Sequence, residues 1–286
     1  MSAILFDSKM GDELRRVRVF DGDLLLFSAT AGTKELVEFA RRTIQESFPK
    51  VDPQTAQSTM AVEDFVAIVA PLKTKFTNHQ HTKVLVQGLL KEFGCDLEKT
   101  YFDVPRLRVV THGGYLSAGV GYAYKPHRDT WYAGPDCQLN WWMPVYALEP
   151  EQAMALYPRY FHYPVKNSSR DFNYDDWCNV GRKQAVDNIK VDTRKHPLPE
   201  EGIDQAAETR IVCDAAATLL FSAGQLHATV PNTSQLTRFS IDFRTVHIDD
   251  LRSRRGARNV DSLAVGSTVR DFIRANDFAP IQPVLA

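Results

Sequence analysis

His127-Arg128-Asp129, then His227, then the run Leu236-Thr237-Arg238-Phe239-Ser240-Ile241-Asp242-Phe243-Arg244-Thr245-Val246-His247 decide how this chain is read. The last run alternates strictly. In an extended strand Phe239, Ile241 and Phe243 share one face, while Arg238, Ser240, Asp242 and Arg244 share the other. One face therefore packs into a core and the other meets something polar. Two imidazoles and one carboxylate can occupy one face of a ferrous ion's octahedron and leave the opposite positions open. A serine and a guanidinium side by side on one strand can hold a small dicarboxylate, because arginine meets carboxylates with a planar fork of donors.

His-x-Asp alone is a weak signal, and His247-Ile248-Asp249 fits it too. No histidine follows residue 247 to complete a triad from a later strand, whereas His127 and Asp129 are followed by His227. The stretch Thr218 to His227 reads as a short apolar strand, a glycine turn and then the second imidazole, and Pro231 to Ser234 is a turn signal. Arg238 is the one arginine followed by serine two positions later. The competing reading is three ordinary polar residues near turns and a solvent-facing strand arginine. On this pattern the expected metal ligands are His127, Asp129 and His227, with Arg238 and Ser240 binding a carboxylate and Arg244 the rival arginine.

These residues, together with Pro126, the strand Leu139 to Tyr146 and the turn Pro231 to Ser234, resemble the iron(II)/2-oxoglutarate-dependent oxygenases, and among them the phytanoyl-CoA dioxygenase-like branch. The resemblance spans about residues 103 to 248. It implies a mainly β fold with helical additions, a double-stranded β-helix (jelly roll) core flanked by N-terminal helices. It also implies Fe(II), 2-oxoglutarate as co-substrate, and dioxygen. Radical halogenases of this superfamily carry a small residue at the carboxylate position, so Asp129 implies hydroxylation, desaturation or ring formation instead. The segment Tyr157 to His162 with Asn167 to Ser169 departs from the Pro-Gly-Ser-His element common in the family, so substrate does not carry over from relatives.

Further positions follow from strand phase. Gln138 and Asn140 share a face with Trp142, and a wall of amides suits a polar co-substrate; Thr130 directly follows the metal carboxylate. Arg128, Trp131, Tyr124, Phe161 and Trp177 are candidates for contact with substrate, and Tyr122 joins Tyr124 as a second candidate near the metal pair. For all of these, packing is the plain alternative.

Length and composition agree with one domain. The 286 residues can bury a single large core, and a net charge of −1 gives no reason to expect nucleic acid or an anionic membrane as partner. The amino terminus lacks an export signal and no segment approaches a membrane span, so the expected location is cytoplasmic. Cys95, Cys137, Cys178 and Cys213 are far apart and read as free thiols. The expected partner is a small-molecule substrate, with homo-oligomerisation left open.

Along the chain, residues 16 to 28 read as a hairpin turning at Asp21-Gly22, followed by helices near 33–48, 61–75 and 80–93, with His79 and His81 at a solvated helix start. A strand from Val104 to Thr111 opens the catalytic core of about 103–248. An irregular aromatic insertion at 149–206 either closes over substrate or only packs on the barrel. The tail, 249–286, is expected to end in a helix near Ser267 to Ala275. Two rival readings remain: a cupin-type metalloenzyme without 2-oxoglutarate, and a catalytically silent jelly roll binding a small ligand.

Overall fold

The alternating run is the ten-residue hub of the molecule. The computed structural model describes residues 2–116, 118–121, 124–181 and 192–282. In chain order its helices are α1 (Asp12–Phe20), α2 (Ala31–Ser47), α3 (Val62–Asn78), α4 (Gln80–Glu92), single-turn α5 (Tyr174–Asp176) and α6 (Ile248–Ser253). The strands are β1 (Ile4–Phe6), β2 (Leu24–Phe27), β3 (Thr100–Phe102), β4 (Arg106–Val110), β5 (Leu139–Pro144), β6 (Met154–Leu156), β7 (Thr209–Arg210), β8 (Thr218–Ser222), β9 (His227–Thr229), β10 (Arg238–His247) and β11 (Ile273–Arg274). The larger sheet runs β1-β2-β8-β5-β10-β3-β11, with β4 also paired to β10; the smaller runs β7-β6-β9. Pairing is antiparallel throughout except β1 with β2.

Register determines the two faces of the larger sheet. Asp242 pairs with Trp142 and Arg244 with Asn140, so the polar residues of β5 and β10 lie on one side. On the other side Phe239, Ile241 and Phe243 join Leu139, Trp141 and Met143 in one core, which α2, α3 and α4 cover with Leu36, Ile44, Phe65, Phe76 and Leu89. Phe243 is fully buried, and its ring stacks on Trp141 at 5.5 Å between centroids and 11° between planes. Phe243→Ala should therefore cost about 3–5 kcal/mol, the usual range for deleting a buried aromatic ring. Denaturant melts would show it as a lowered midpoint at unchanged slope. A loss below about 1 kcal/mol would mean that this face is not the core.

Two expected elements come out differently. Residues 16 to 28 do not form a hairpin: α1 ends at Phe20, the chain turns at Gly22 (φ +96°), and β2 then pairs in parallel with β1. The Arg-Val-Arg-Val alternation is also compatible with a helix, and the partners decide it. Asp12 binds Arg15 and Arg16 at the i+3 and i+4 spacings of a helix, and Arg16 also reaches buried Asp250. The expected terminal helix is instead a 3-10 turn (Thr268–Asp271) followed by β11, where Ile273 takes a ladder position opposite Phe102. The other three N-terminal helices stand close to their expected positions, and His79 caps α4 through its own ring nitrogen. No helix among the described residues is long and apolar enough to cross a membrane.

Candidate metal centre and adjoining pocket

His127 and His227 face each other across a β-bridge, each backbone N–H donating to the other's carbonyl at 2.9 Å. That pairing brings their ring centroids to 4.3 Å. Each Nδ1 meets a carbonyl two residues back, Lys125 at 2.8 Å and Gln225 at 2.9 Å. A carbonyl only accepts, so Nδ1 carries the proton and Nε2 presents a lone pair, the usual arrangement of a metal-binding imidazole. Asp129 opens a one-turn 3-10 segment, its N–H held by Ala223 at 3.0 Å. A Cβ on Gly134 would lie 2.9 Å from the Asp129 carbonyl, so glycine is needed where the chain doubles back.

The three ligand atoms lie within 4.8 Å of one another. Asp129 Oδ1 is 3.7 Å from His127 Nε2 and 3.9 Å from His227 Nε2, while Oδ2 accepts from Gln138 Nε2 at 2.9 Å. One oxygen thus faces the imidazoles and the other is held from behind. Burial alone would raise the Asp129 pKa, but Arg244, with Nε 3.5 Å from Oδ2, and the two imidazoles hold it well below the usual range. Burial, with His127 alongside, pushes His227 down to about 4. At neutral pH these are the charge states that bind a metal ion.

The triad opens into a cavity of about 680 Å³ between the two sheets, walled by β4, β5, β9, β10 and α3. Four arginines line it from the larger sheet, and of these Arg106 pairs with Asp103. Arg108 makes a bidentate pair with Asp242 at 2.5 and 3.0 Å. Arg244 contacts Asp103 at 3.1 Å besides Asp129. Arg238 differs: it donates to the Gln152 carbonyl at 2.8 Å, lies over the Trp142 ring at 5.8 Å, and has no carboxylate partner among the described residues. Burial, with Arg108 alongside, pushes its pKa down to about 10, and Asp242 offsets only part of this. Arg238 Nε, Ser240 Oγ and Asn140 Nδ2 are all buried without a hydrogen-bond partner among the described residues. A buried donor left unpaired costs about 1–3 kcal/mol, more if charged, so three on one sheet face call for an acceptor.

The other expected residues divide in two. Gln138, Asn140, Tyr124 and Trp177 line the cavity. Arg128, Trp131, Phe161 and Thr130 do not. Arg128 binds Asp261 and three backbone carbonyls, and the Trp131 indole N–H donates to Asp261. Phe161 packs over Gly22, and the Thr130 carbonyl is held by Ser262. Alternation sends Arg128 away from its two neighbours and the turn carries Thr130 and Trp131 off the cavity wall, while Phe161 lies on a separate segment of the insertion. Tyr122 lies outside the described residues, as does 182–191 of the insertion; Phe172, Tyr174 and Trp177 bring that insertion onto the cavity wall. The sequence reading missed Arg108, Asp242 and Tyr132 as wall residues. The alternation did put Asp242 on the polar face, and the Arg-x-Arg of β4 was a comparable signal. It also missed Lys73, which donates to the Val120 carbonyl and is pushed down to about 7 by burial and by Arg108.

No protein-family model and no curated protein matches the chain. Several solved structures are similar to it. ThoJ, a non-heme monooxygenase in its apo form, is 13% identical with a TM-score of 0.40, covering 77% of this chain and 71% of that one. EvdO2 from Micromonospora carbonacea var. aurantiaca is 12% identical with a TM-score of 0.48, covering 83% and 91%, and is also solved with 2-oxoglutarate. SnoN, a non-heme alpha-ketoglutarate-dependent epimerase from nogalamycin biosynthesis, is 13% identical with a TM-score of 0.42, covering 95% and 100%. At scores this low the likeness carries no argument about chemistry, which has to come from the site itself.

Proposed function

We propose that this protein is an iron(II)- and 2-oxoglutarate-dependent dioxygenase with a jelly-roll core, oxidising a small polar or amphiphilic metabolite of a biosynthetic pathway. One observation carries the reading: a buried His-Asp-His triad opens into the same cavity as Arg238, a buried cation that, among the described residues, has no carboxylate, with Ser240 and Asn140 donors likewise unpaired. The donor set fits the ion, since two neutral imidazoles and a carboxylate on one face suit ferrous iron with open positions. The unpaired donors fit a dicarboxylate, whose far end would give Arg238 its counter-charge and Ser240 its acceptor.

When bound, iron(II) with 2-oxoglutarate and dioxygen supplies oxidative decarboxylation to succinate coupled to oxidation of a C–H bond. The protein's part is positioning and exclusion of water. Gln138 holds the outer oxygen of Asp129 so that the inner one stays aimed between the imidazoles. Arg238 and Ser240 would hold the far carboxylate of the keto acid. Tyr124, Tyr132, Phe172 and Trp177 form the aromatic wall against which substrate would pack. A jelly roll of the cupin type without keto acid leaves the buried charge of Arg238 unexplained.

The test needs no substrate. Purified protein with iron(II), ascorbate and 2-oxoglutarate should consume oxygen and release succinate slowly, and candidate metabolites should be screened for stimulation of that rate. Absence of both succinate release and 2-oxoglutarate binding would remove the proposal.

A further inference from the structure

Arg128 sits between two of the triad residues yet turns its back on the cavity, and its partners explain why. Its Nε donates to Asp261 Oδ2 at 3.0 Å, its Nη2 to the carbonyls of Tyr160 and Tyr163 at 2.8 Å each, and its Nη1 to the carbonyl of Gly224. Gly224 belongs to the turn that leads into His227 and whose Ala223 carbonyl holds the Asp129 N–H. Asp261 lies in the tail, with its side chain only 4% exposed. Its other oxygen accepts the Trp131 indole N–H at 2.7 Å, and Oδ2 also takes the Val165 N–H at 2.9 Å. Its backbone carbonyl accepts from Asn167 at 3.0 Å. The next residue, Ser262, donates to the Thr130 carbonyl at 2.6 Å, and Thr268 N–H reaches Ala133 at 3.0 Å.

The geometry points to Asp261 as a positioning residue for the metal centre: a single carboxylate from the tail that ties the His127–Asp129 loop, the turn before His227 and the insertion into one rigid unit. Charge requires it. Arg128 is buried between two ligands, and without an anion its guanidinium would draw water toward the loop or move the loop to reach it. With Asp261 in place every arm of Arg128 is paired, and the loop and the turn share one fixed distance. The tail thereby supports a site it does not touch, as outer partners of metal ligands do.

This rests on the reading of His127, Asp129 and His227 as metal ligands, and the experiment separates the two. Cobalt(II) is titrated into the full-length protein without co-substrate, following the visible absorption of the bound ion. Wild type should take one equivalent, and His227→Ala should lose it; if it does not, the ligand assignment fails, whatever Asp261 does. Asp261→Asn should weaken binding about 10- to 100-fold, the usual effect of losing an outer partner, and alter the absorption band. Asp250→Asn is the comparison, since Asp250 likewise carries a buried side chain paired with two arginines, Arg16 and Arg255, and with no triad residue. It should lower thermal stability yet leave cobalt affinity unchanged.

Should Asp261→Asn fail to fold, Trp131→Phe removes one bond to Asp261 at nearly constant shape and should weaken cobalt several-fold. Unchanged affinity and spectrum in a folded Asp261→Asn, or in Trp131→Phe where only that variant folds, would overturn the proposal. So would an equal loss of affinity in Asp250→Asn, which would mark a general effect of stability.

Discussion

Replacing His227 with alanine should abolish substrate-dependent turnover and weaken metal binding by more than about 100-fold. The site offers three protein ligands and no fourth: among the described residues His127, Asp129 and His227 form the only such group of histidine, cysteine and acidic side chains. Losing an outer partner of a ligand typically costs about 10- to 100-fold in affinity, so losing a ligand should cost more. The fold should survive, because the bridge between the two segments runs through backbone atoms that alanine retains. His247→Ala is the matched control. Its Nδ1 accepts from the Asp249 N–H at the start of α6, where it caps a helix, and iron content should not change. Stoichiometric iron at wild-type affinity in His227→Ala, measured anaerobically, would remove His227 from the ligand set.

The contrast between these two histidines shows how much of the site is legible in the amino-acid sequence. Both sit in His-x-Asp patterns or their sequel, and only the order along the chain distinguishes them. Strand alternation carries its own geometry: Arg238, Asp242 and Arg244, of one phase in the strand, all line the cavity, while Ser240, of the same phase, is fully buried with its hydroxyl unpaired among the described residues and is not part of the cavity lining. The stripes of α2, α3 and α4 are legible for the same reason. What alternation leaves open is which neighbour supplies a partner. Nothing local says that Arg108 meets Asp242, or that Arg128 is matched by Asp261 from the tail, because those pairings depend on how distant segments come together. The N-terminal Arg-Val-Arg-Val run misleads more simply: its pattern suits strand or helix, and Asp12 and Asp250 choose the helix. The expectation that Arg128 and Trp131 meet substrate treats closeness in sequence to the ligands as closeness to the cavity, and that for Phe161 treats an aromatic of the insertion as a wall residue when it packs over Gly22.

Arg238 carries the second large effect. Arg238→Ala should raise the 2-oxoglutarate requirement by about one to two decades, since a hydrogen bond to a charged group is worth ~1.5–3 kcal/mol and each 1.4 kcal/mol is tenfold. Arg238→Lys should restore only part of this, because a point charge on a flexible stem cannot reproduce the planar fork. The structure makes the choice among the cavity arginines sharper than spacing could. Arg108 is already committed to Asp242, and Arg244 to Asp103 and Asp129, whereas among the described residues Arg238 has only a backbone carbonyl and a ring face. The variants should therefore differ in kind as well as size. Arg244→Ala strips the counter-charge from Asp129 and Asp103 and should show first in metal binding, with any change in keto-acid KM following from it. Arg238→Ala should leave metal affinity intact in the absence of keto acid and change only the co-substrate dependence. If Arg244→Ala raises the 2-oxoglutarate KM at normal metal affinity while Arg238→Ala does not, the co-substrate's carboxylate belongs to Arg244, and the unpaired donors at Arg238, Ser240 and Asn140 serve another ligand.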